Sequence, residues 1–314
     1  MNLPDDQDIL RGDIRAVARA IRAVEDDWPG SRDLLKRLFP HAGRSRTLGI
    51  TGPPGAGKST LVDRLTTQFR KAGKSVGVVA VDPTSPFTGG AILGDRIRMQ
   101  SHATDDGVFI RSMATRGALG GLSATTAAAL LVLDASSKDI LIVETVGVGQ
   151  DEVDIASEAD IAVVVLVPGL GDEVQALKAG IMEIADLFVV NKADRDGADR
   201  LASEIEMMLS LTGETRTDRP PVVRTVAVTS QGIDDLVRTI EEVRAKREES
   251  GQLHQRRRER LLRQFETQVE VLVKQRVRHR IDALDSSLRL RERVQNRAID
   301  PYSAADETLS GSQP

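Results

Sequence analysis

From Arg11 to about Phe39 the apolar residues Ile14, Val17, Ala18 and Ile21, and then Leu34, Leu35 and Leu38, recur at helical spacing, with a break at Trp28-Pro29-Gly30. This pattern predicts two short helices ahead of a main domain. After Gly43 it changes to short apolar runs bounded by turn residues: Leu48 to Thr51, Val76 to Val81, Val108 to Ile110, Ile140 to Val143, Ile161 to Val167, Leu187 to Val190, and Val222 to Val228. Runs that are apolar throughout, without alternation, predict strands covered on both faces, as in a parallel sheet. Helix-like stretches lie between them, among them Ser59 to Ala72, Leu122 to Ala135, Glu173 to Ile184 and Ala198 to Leu211. Strands alternating with helices predict an α/β fold, a doubly wound and mostly parallel sheet in three layers.

From about Thr239 to Arg297 glycine almost disappears and Arg, Glu, Gln and Leu dominate, which predicts long, highly charged helices. Leu261, Leu262, Phe265, Val269, Leu272, Val273 and Val277 form a narrow apolar stripe on this polar rod. Such a stripe is covered either by the helix's own domain or by another molecule, most simply a second copy of the chain, and the second is the expectation here. Beyond Pro301 the chain is expected to fray at its end. The predicted divisions are an N-terminal helical extension (1–43), a nucleotide-binding domain (44–240) and a C-terminal helical dimerisation arm (241–314).

Composition narrows the chemistry. The 314 residues include 43 basic and 47 acidic side chains, a net charge of -4, so no global charge points to nucleic acid or membrane. There is no cysteine, which excludes disulfides, thiolate metal sites and thiol nucleophiles; the histidines, His41, His102, His254 and His279, are scattered. The acidic start lacks an apolar leader, and no run reaches the roughly 18 apolar residues of a membrane span. A cytoplasmic protein is expected.

The strongest motif is Gly52-Pro-Pro-Gly55-Ala56-Gly57-Lys58-Ser59-Thr60, placed between a predicted strand and a predicted helix. It fits G-x-x-x-x-G-K-S, the P-loop. Glycines let the backbone wrap phosphates, loop N–H groups and the helix N-terminus supply donors, Lys58 reaches the terminal phosphates, and Ser59 offers a hydroxyl to magnesium. Asn191-Lys192-Ala193-Asp194, at the end of a later strand, chooses the base. The Asp194 carboxylate can accept from the ring N–H and exocyclic amine of guanine, an edge that adenine lacks, while Asn191 and Lys192 buttress the pocket. Ser230-Gln231-Gly232, after the last strand, is placed to close over the base.

Three acids are candidates for the metal: Asp82 at the end of the second strand, Asp95 in the Gly-rich loop that follows, and Glu144 at the end of the Ile140 to Val143 strand. Carboxyl ends of parallel strands are where an open sheet places its ligands, and oxygen donors suit magnesium. Many GTPases follow their D-x-x-G with a glutamine that orients the attacking water. Here Glu144-x-x-Gly147 is followed by Val148, which cannot do so; Gln150 is the nearest substitute. Slow hydrolysis by the isolated protein, stimulated by a partner, is expected.

With these residues in hand, the chain resembles the MeaB/ArgK-type family, GTPase chaperones of adenosylcobalamin-dependent acyl-CoA mutases. The resemblance extends from Gly12 to Ala305. It is carried by Asp82-Pro-Thr-Ser-Pro-Phe-Thr-Gly-Gly-Ala-Ile-Leu-Gly-Asp95-Arg-Ile-Arg98-Met, Ile110-Arg-Ser-Met-Ala-Thr-Arg-Gly117, Val143-Glu-Thr-Val-Gly-Val-Gly-Gln150, Pro168-Gly-Leu-Gly-Asp172-Glu-Val-Gln175-Ala-Leu-Lys178-Ala-Gly and the terminal Asp300-Pro-Tyr-Ser-Ala-Ala. It implies a homodimer, using GTP/GDP and Mg2+, that gates transfer of adenosylcobalamin from a cobalamin adenosyltransferase to a mutase and protects or rescues that mutase. Methylmalonyl-CoA mutase is the default partner; an isobutyryl-CoA or 2-hydroxyisobutyryl-CoA type mutase is the alternative. Ser59, Asp82, Asp95 and Glu144 then resemble the metal and switch residues, with Lys58 and Gln150 beside them at the reacting phosphate. Arg98, Asp172, Gln175 and Lys178 match segments that couple nucleotide to partner. Thr84 stands where the family often has serine, and Val222 to Ser230 diverges from its usual closing loop. Two rivals fit less well: a nickel chaperone of the same class, which needs Cys and His ligands, and a kinase of an amino-acid binding protein, which the guanine motif disfavours.

Overall fold

The computed structural model describes residues 2–82, 102, 104–114, 121–145, 158–169, 184–211 and 219–310. Seven strands form one sheet: β1 (Arg46–Thr51), β2 (Val76–Asp82), β3 (Val108–Ala114), β4 (Ile140–Thr145), β5 (Ile161–Leu166), β6 (Leu187–Asn191) and β7 (Val222–Thr225). Their order is β3-β2-β4-β1-β5-β6-β7, and every neighbouring pair is parallel. From β1 the chain runs out to β2 and the β3 edge, returns to insert β4 between β2 and β1, and then crosses to the other side of β1 for β5, β6 and β7; open parallel sheets place ligands at the carboxyl ends where the winding direction switches.

Side-chain alternation along the strands explains the layering. On one face Ile140 and Ile142 of β4, with Val163 and Val165 of β5, join Leu61, Val62, Leu65 and Phe69 of α4 (Lys58–Lys71) and Ile233, Leu236 and Ile240 of α7 (Ile233–Glu249). Residues one step along point the other way. Leu141 and Val143 meet α5 (Gly121–Ala135) together with α1 (Asp6–Leu10), α2 (Ile14–Glu25) and α3 (Ser31–Leu38), while Val164 and Leu166 meet α6 (Ala198–Ser210). Uninterrupted apolar strands are thus the consequence of two buried faces.

Several boundaries differ from those the pattern predicts. Both helices expected between Arg11 and Phe39 form, as α2 and α3, and a further short helix, α1, precedes them, because Asp5 and Asp13 each cap a helix, accepting from Gln7 N and Ala16 N, with Gly12 at φ 80° between α1 and α2. Strand β3 continues past Ile110 to Ala114, although Arg111 and Ser112 are polar, because Arg111 pairs with the half-buried Glu25 of α2. Strand β7 stops at Thr225 and does not reach Val228, which is exposed: Val226 N donates to Gln231 O at 3.0 Å and turns the chain. The stretch beyond Pro301 forms α10 (Pro301–Ser310), capped by Asp300, whose Oδ1 accepts from Tyr302 N and Ser303 N. The helix expected from Glu173 falls, but for Ile184, outside the described residues, as do residues 311–314.

By internal contacts the chain divides into two compact units, Met1–Leu261 and Leu262–Pro314. Helix α8 (Gln252–Leu288) runs through both, and Arg289, at φ 47°, separates it from α9 (Leu290–Gln295). Within the second unit Val271, Leu290 and Ala304 are buried, whereas Leu262, Phe265, Val269, Leu272 and Val273 are exposed. No described helix is long and apolar enough to cross a membrane.

Candidate functional site

The loop between β1 and α4 is shaped by contacts that only glycine permits. Gly52 has φ 138°, and a Cβ there would lie 2.1 Å from Val165 O, so the loop leaves β1 in direct contact with β5. Gly57, at φ 86°, precedes α4, and a Cβ on it would lie 2.5 Å from Asn191 Nδ2. Gly55, at φ 75°, is left-handed and faces open space. The loop N–H groups and the N-terminus of α4, which has no side-chain cap, are of the kind that can cradle an anion. Lys58, buried at its base, donates from Nζ to Gly52 O at 2.5 Å and Pro53 O at 3.0 Å. Thr60 is half-buried in the first turn of the same helix.

Strand β6 ends in Asn191, which is buried and joins three loops. Its Nδ2 donates to Ala56 O at 2.8 Å, and its Oδ1 accepts from Thr225 Oγ1 and Ala227 N, each at 3.1 Å. Lys192, at φ 56°, donates from Nζ to Gly55 O at 2.7 Å. Asp194 follows with its side chain exposed beside this junction. Ser230 (φ 64°), Gln231 and Gly232 (φ 75°) lie in the turn after β7, and a Cβ on Gly232 would fall 2.2 Å from Arg224 O. The P-loop, the Asn191 to Asp194 segment and the Ser230 to Gly232 turn therefore meet at one end of the sheet.

Strand β4 brings the buried Glu144 to the same end, where Ser59 Oγ donates to its Oε1 at 2.5 Å. Beneath them Thr145 Oγ1 donates to Thr51 Oγ1 at 3.1 Å, tying β4 to β1. The β2–β4 register pairs Ala80 with Glu144 and Val81 with Thr145, so Asp82 ends β2 beside this site. Asp95, Arg98, Val148, Gln150, Asp172, Gln175 and Lys178 lie outside the described residues. Among the described residues no group of three or more His, Cys, Asp or Glu is placed to hold a metal ion. Ser59 and Glu144 nevertheless form a hard oxygen pair of the kind magnesium takes.

Sequence reasoning overlooked the opposite end of the sheet. Asp160 and Asp186, immediately before β5 and β6, are buried carboxylates held by arginines of α7 and α8. Asp186 pairs with Arg247 and Arg256, and Asp160 with Arg257 at 2.5 Å and Arg260 at 3.3 Å. Burial disfavours ionised Asp160, but the hydrogen bond from Arg257 and the neighbouring guanidinium charges outweigh it and hold its pKa below the ordinary carboxylate value. The same bond raises Arg257, whereas desolvation lowers Arg247 despite its partner. A visible signal existed: an aspartate directly before an apolar run, at Asp139, Asp160 and Asp186, and an arginine cluster at Arg256, Arg257, Arg258 and Arg260.

The family model described as methylmalonyl Co-A mutase-associated GTPase MeaB matches residues 17–282. A Pyrococcus abyssi protein whose name proposes a GTPase is 53% identical over 302 residues, covering 95% of this chain and 93% of its own length. The mouse protein named methylmalonic aciduria type A homolog, mitochondrial, is 35% identical over 267 residues, covering 79% of this chain and 64% of its own. Among solved structures, one titled LAO/AO transport system kinase superposes with a TM-score of 0.73 at 27% identity, covering 98% of this chain and 96% of that one.

Proposed function

The chain belongs to the family of methylmalonyl-CoA mutase-associated GTPases of the MeaB type, and from that premise we propose that it is a GTP-hydrolysing chaperone that gates adenosylcobalamin loading of an acyl-CoA mutase and protects or reactivates that mutase. The observation that carries the nucleotide part is the Asn191 junction: one buried amide fastens the candidate base loop to the candidate phosphate loop at Ala56. In this reading Asp194 accepts from the guanine edge, Lys192 walls the pocket, and Ser230-Gln231-Gly232 close it. Loop N–H groups and Lys58 take the phosphates; the Nζ bonds to Gly52 O and Pro53 O are those a triphosphate would replace.

Magnesium fits the oxygen donors Ser59 and Glu144, with Asp82 and Asp95 as further ligands, and when bound it would neutralise charge on the phosphates. The chain's own residues then align the terminal phosphate for in-line attack. With Val148 after Gly147, and Gln150 the nearest polar substitute, the water is oriented poorly and hydrolysis waits on a partner. The mutase association in the family's name and the mouse relative's methylmalonic aciduria name both favour methylmalonyl-CoA mutase as that partner. The exposed stripe Leu262, Phe265, Val269, Leu272 and Val273 supports homodimerisation through the arm.

The deciding experiment measures GTP turnover by the pure protein alone and with methylmalonyl-CoA, isobutyryl-CoA or 2-hydroxyisobutyryl-CoA mutase. A slow basal rate raised several-fold by one mutase is expected. A fast rate indifferent to all three would overturn the chaperone role.

A further inference from the structure

The turn that carries Ser230-Gln231-Gly232 is fastened at two neighbouring residues, Val226, whose N–H donates to Gln231 O at 3.0 Å, and Ala227. The Ala227 N–H donates to Asn191 Oδ1 at 3.1 Å, and its carbonyl accepts from Ser230 N at 3.3 Å, which sets the turn. The same carbonyl accepts a second bond from outside the turn: Arg64 Nε, on α4, at 3.2 Å. Arg64 lies on the helix whose first turn carries Lys58 and Ser59, so a single guanidinium joins the phosphate-binding helix to the base-closing turn. It is not free to wander. Asp63 Oδ2 lies 3.6 Å from its Nη1, and Asp63 Oδ1 lies 3.3 Å from Nε2 of the buried His102.

We propose that Arg64 is a positioning residue for guanine-nucleotide affinity, holding the Ala227 carbonyl, and with it the Ser230 to Gly232 turn, against the phosphate-binding helix. The proposal rests on the guanine reading of the site. A charge-assisted bond of this kind to a carbonyl is stronger than a neutral one. Ala227 is pinned from both sides, its N–H by Asn191 and its C=O by Arg64, so loss of Arg64 frees the carbonyl side of the turn while Asn191 and the Val226–Gln231 bond still hold the rest. The cost falls on the base and not on the phosphates.

The test compares wild type with Arg64→Ala and Arg64→Lys, each first shown to be folded by its thermal transition. Dissociation constants are measured for GTP, GDP, ATP and inorganic tripolyphosphate. Arg64→Ala is expected to weaken GTP and GDP alike by about ten-fold, the scale of one charge-assisted bond. Tripolyphosphate binding should change much less, KM for GTP should rise by more than kcat falls, and Arg64→Lys should recover part of the loss. Equal weakening of tripolyphosphate would show that Arg64 merely supports the helix, and unchanged GTP affinity would show that the turn needs no such hold; either overturns the proposal. The wild-type column separates this from the premise: no preference for GTP over ATP there refutes the guanine reading itself.

Discussion

Ser59 Oγ and Glu144 Oε1, contributed by segments 85 residues apart, form a hydrogen bond of 2.5 Å at the carboxyl ends of adjacent parallel strands. Glu144 is buried, so this hydroxyl partly offsets the cost of sequestering a carboxylate. An arriving cation would replace that bond with stronger interactions to both oxygens. Ser59→Ala is therefore expected to lower GTP affinity by about ten-fold or more in the presence of magnesium and far less in its absence. Calorimetric titration with magnesium and with a chelator checks this; an equal loss in both would place Ser59 outside the metal site.

The base side of the proposed pocket is tested at Asp194, which is exposed and whose side chain makes no hydrogen bond among the described residues. Asp194→Asn exchanges an acceptor for a donor and is expected to shift preference from guanosine to xanthosine triphosphate without changing the unfolding transition. Asn191→Ala should behave differently. It removes bonds to Ala56, Thr225 and Ala227 at once, so GTP affinity should fall by about ten-fold or more and stability by roughly 2 kcal/mol. Competition binding and denaturant unfolding of the two variants separate recognition from assembly.

At the far end of the sheet the Asp160–Arg257 pair is expected to contribute to acid stability. The Asp160 carboxyl has its pKa held below the ordinary 3.8, mainly through the bond from Arg257 once burial has been overcome. A depressed carboxyl contributes stability that is fully present above its unfolded value and is lost as pH falls through its folded value. Asp105, lowered to about 2 by Arg70 and by the Gly107 N–H, acts in the same direction. Stability should therefore decline from about pH 4 downward, and Asp160→Asn should weaken that dependence while costing about 3–5 kcal/mol at neutral pH by leaving Arg257 and Arg260 without a carboxylate. Urea midpoints at pH 7, 5, 4 and 3 provide the check; a variant with an unchanged acid slope would remove Asp160 from the account.

The legibility of the sequence followed the range of the interactions. The P-loop motif and Asn191-Lys192-Ala193-Asp194 are contiguous, so both could be picked out as candidates from residue type and spacing, and the structure brings them to one place. Strand positions were readable because two buried faces demand unbroken apolar runs, whereas the ends of β3 and β7 were not. Arg111 continues β3 only because Glu25 of a distant helix meets it, and β7 ends because Gln231 turns back on Val226.

By itself the sequence marked which side chains are candidates to cradle phosphates and read a purine edge, since residue type and spacing are local and chemical. Only the tertiary structure decided that Asn191 would lock onto Ala56, that Arg64 would reach Ala227, and that buried aspartates beneath β5 and β6 would gather arginines from α7 and α8. Those pairings arise because a parallel sheet aligns the ends of strands that are remote along the chain, and hydrogen bonds of about 3 Å form only after that alignment exists.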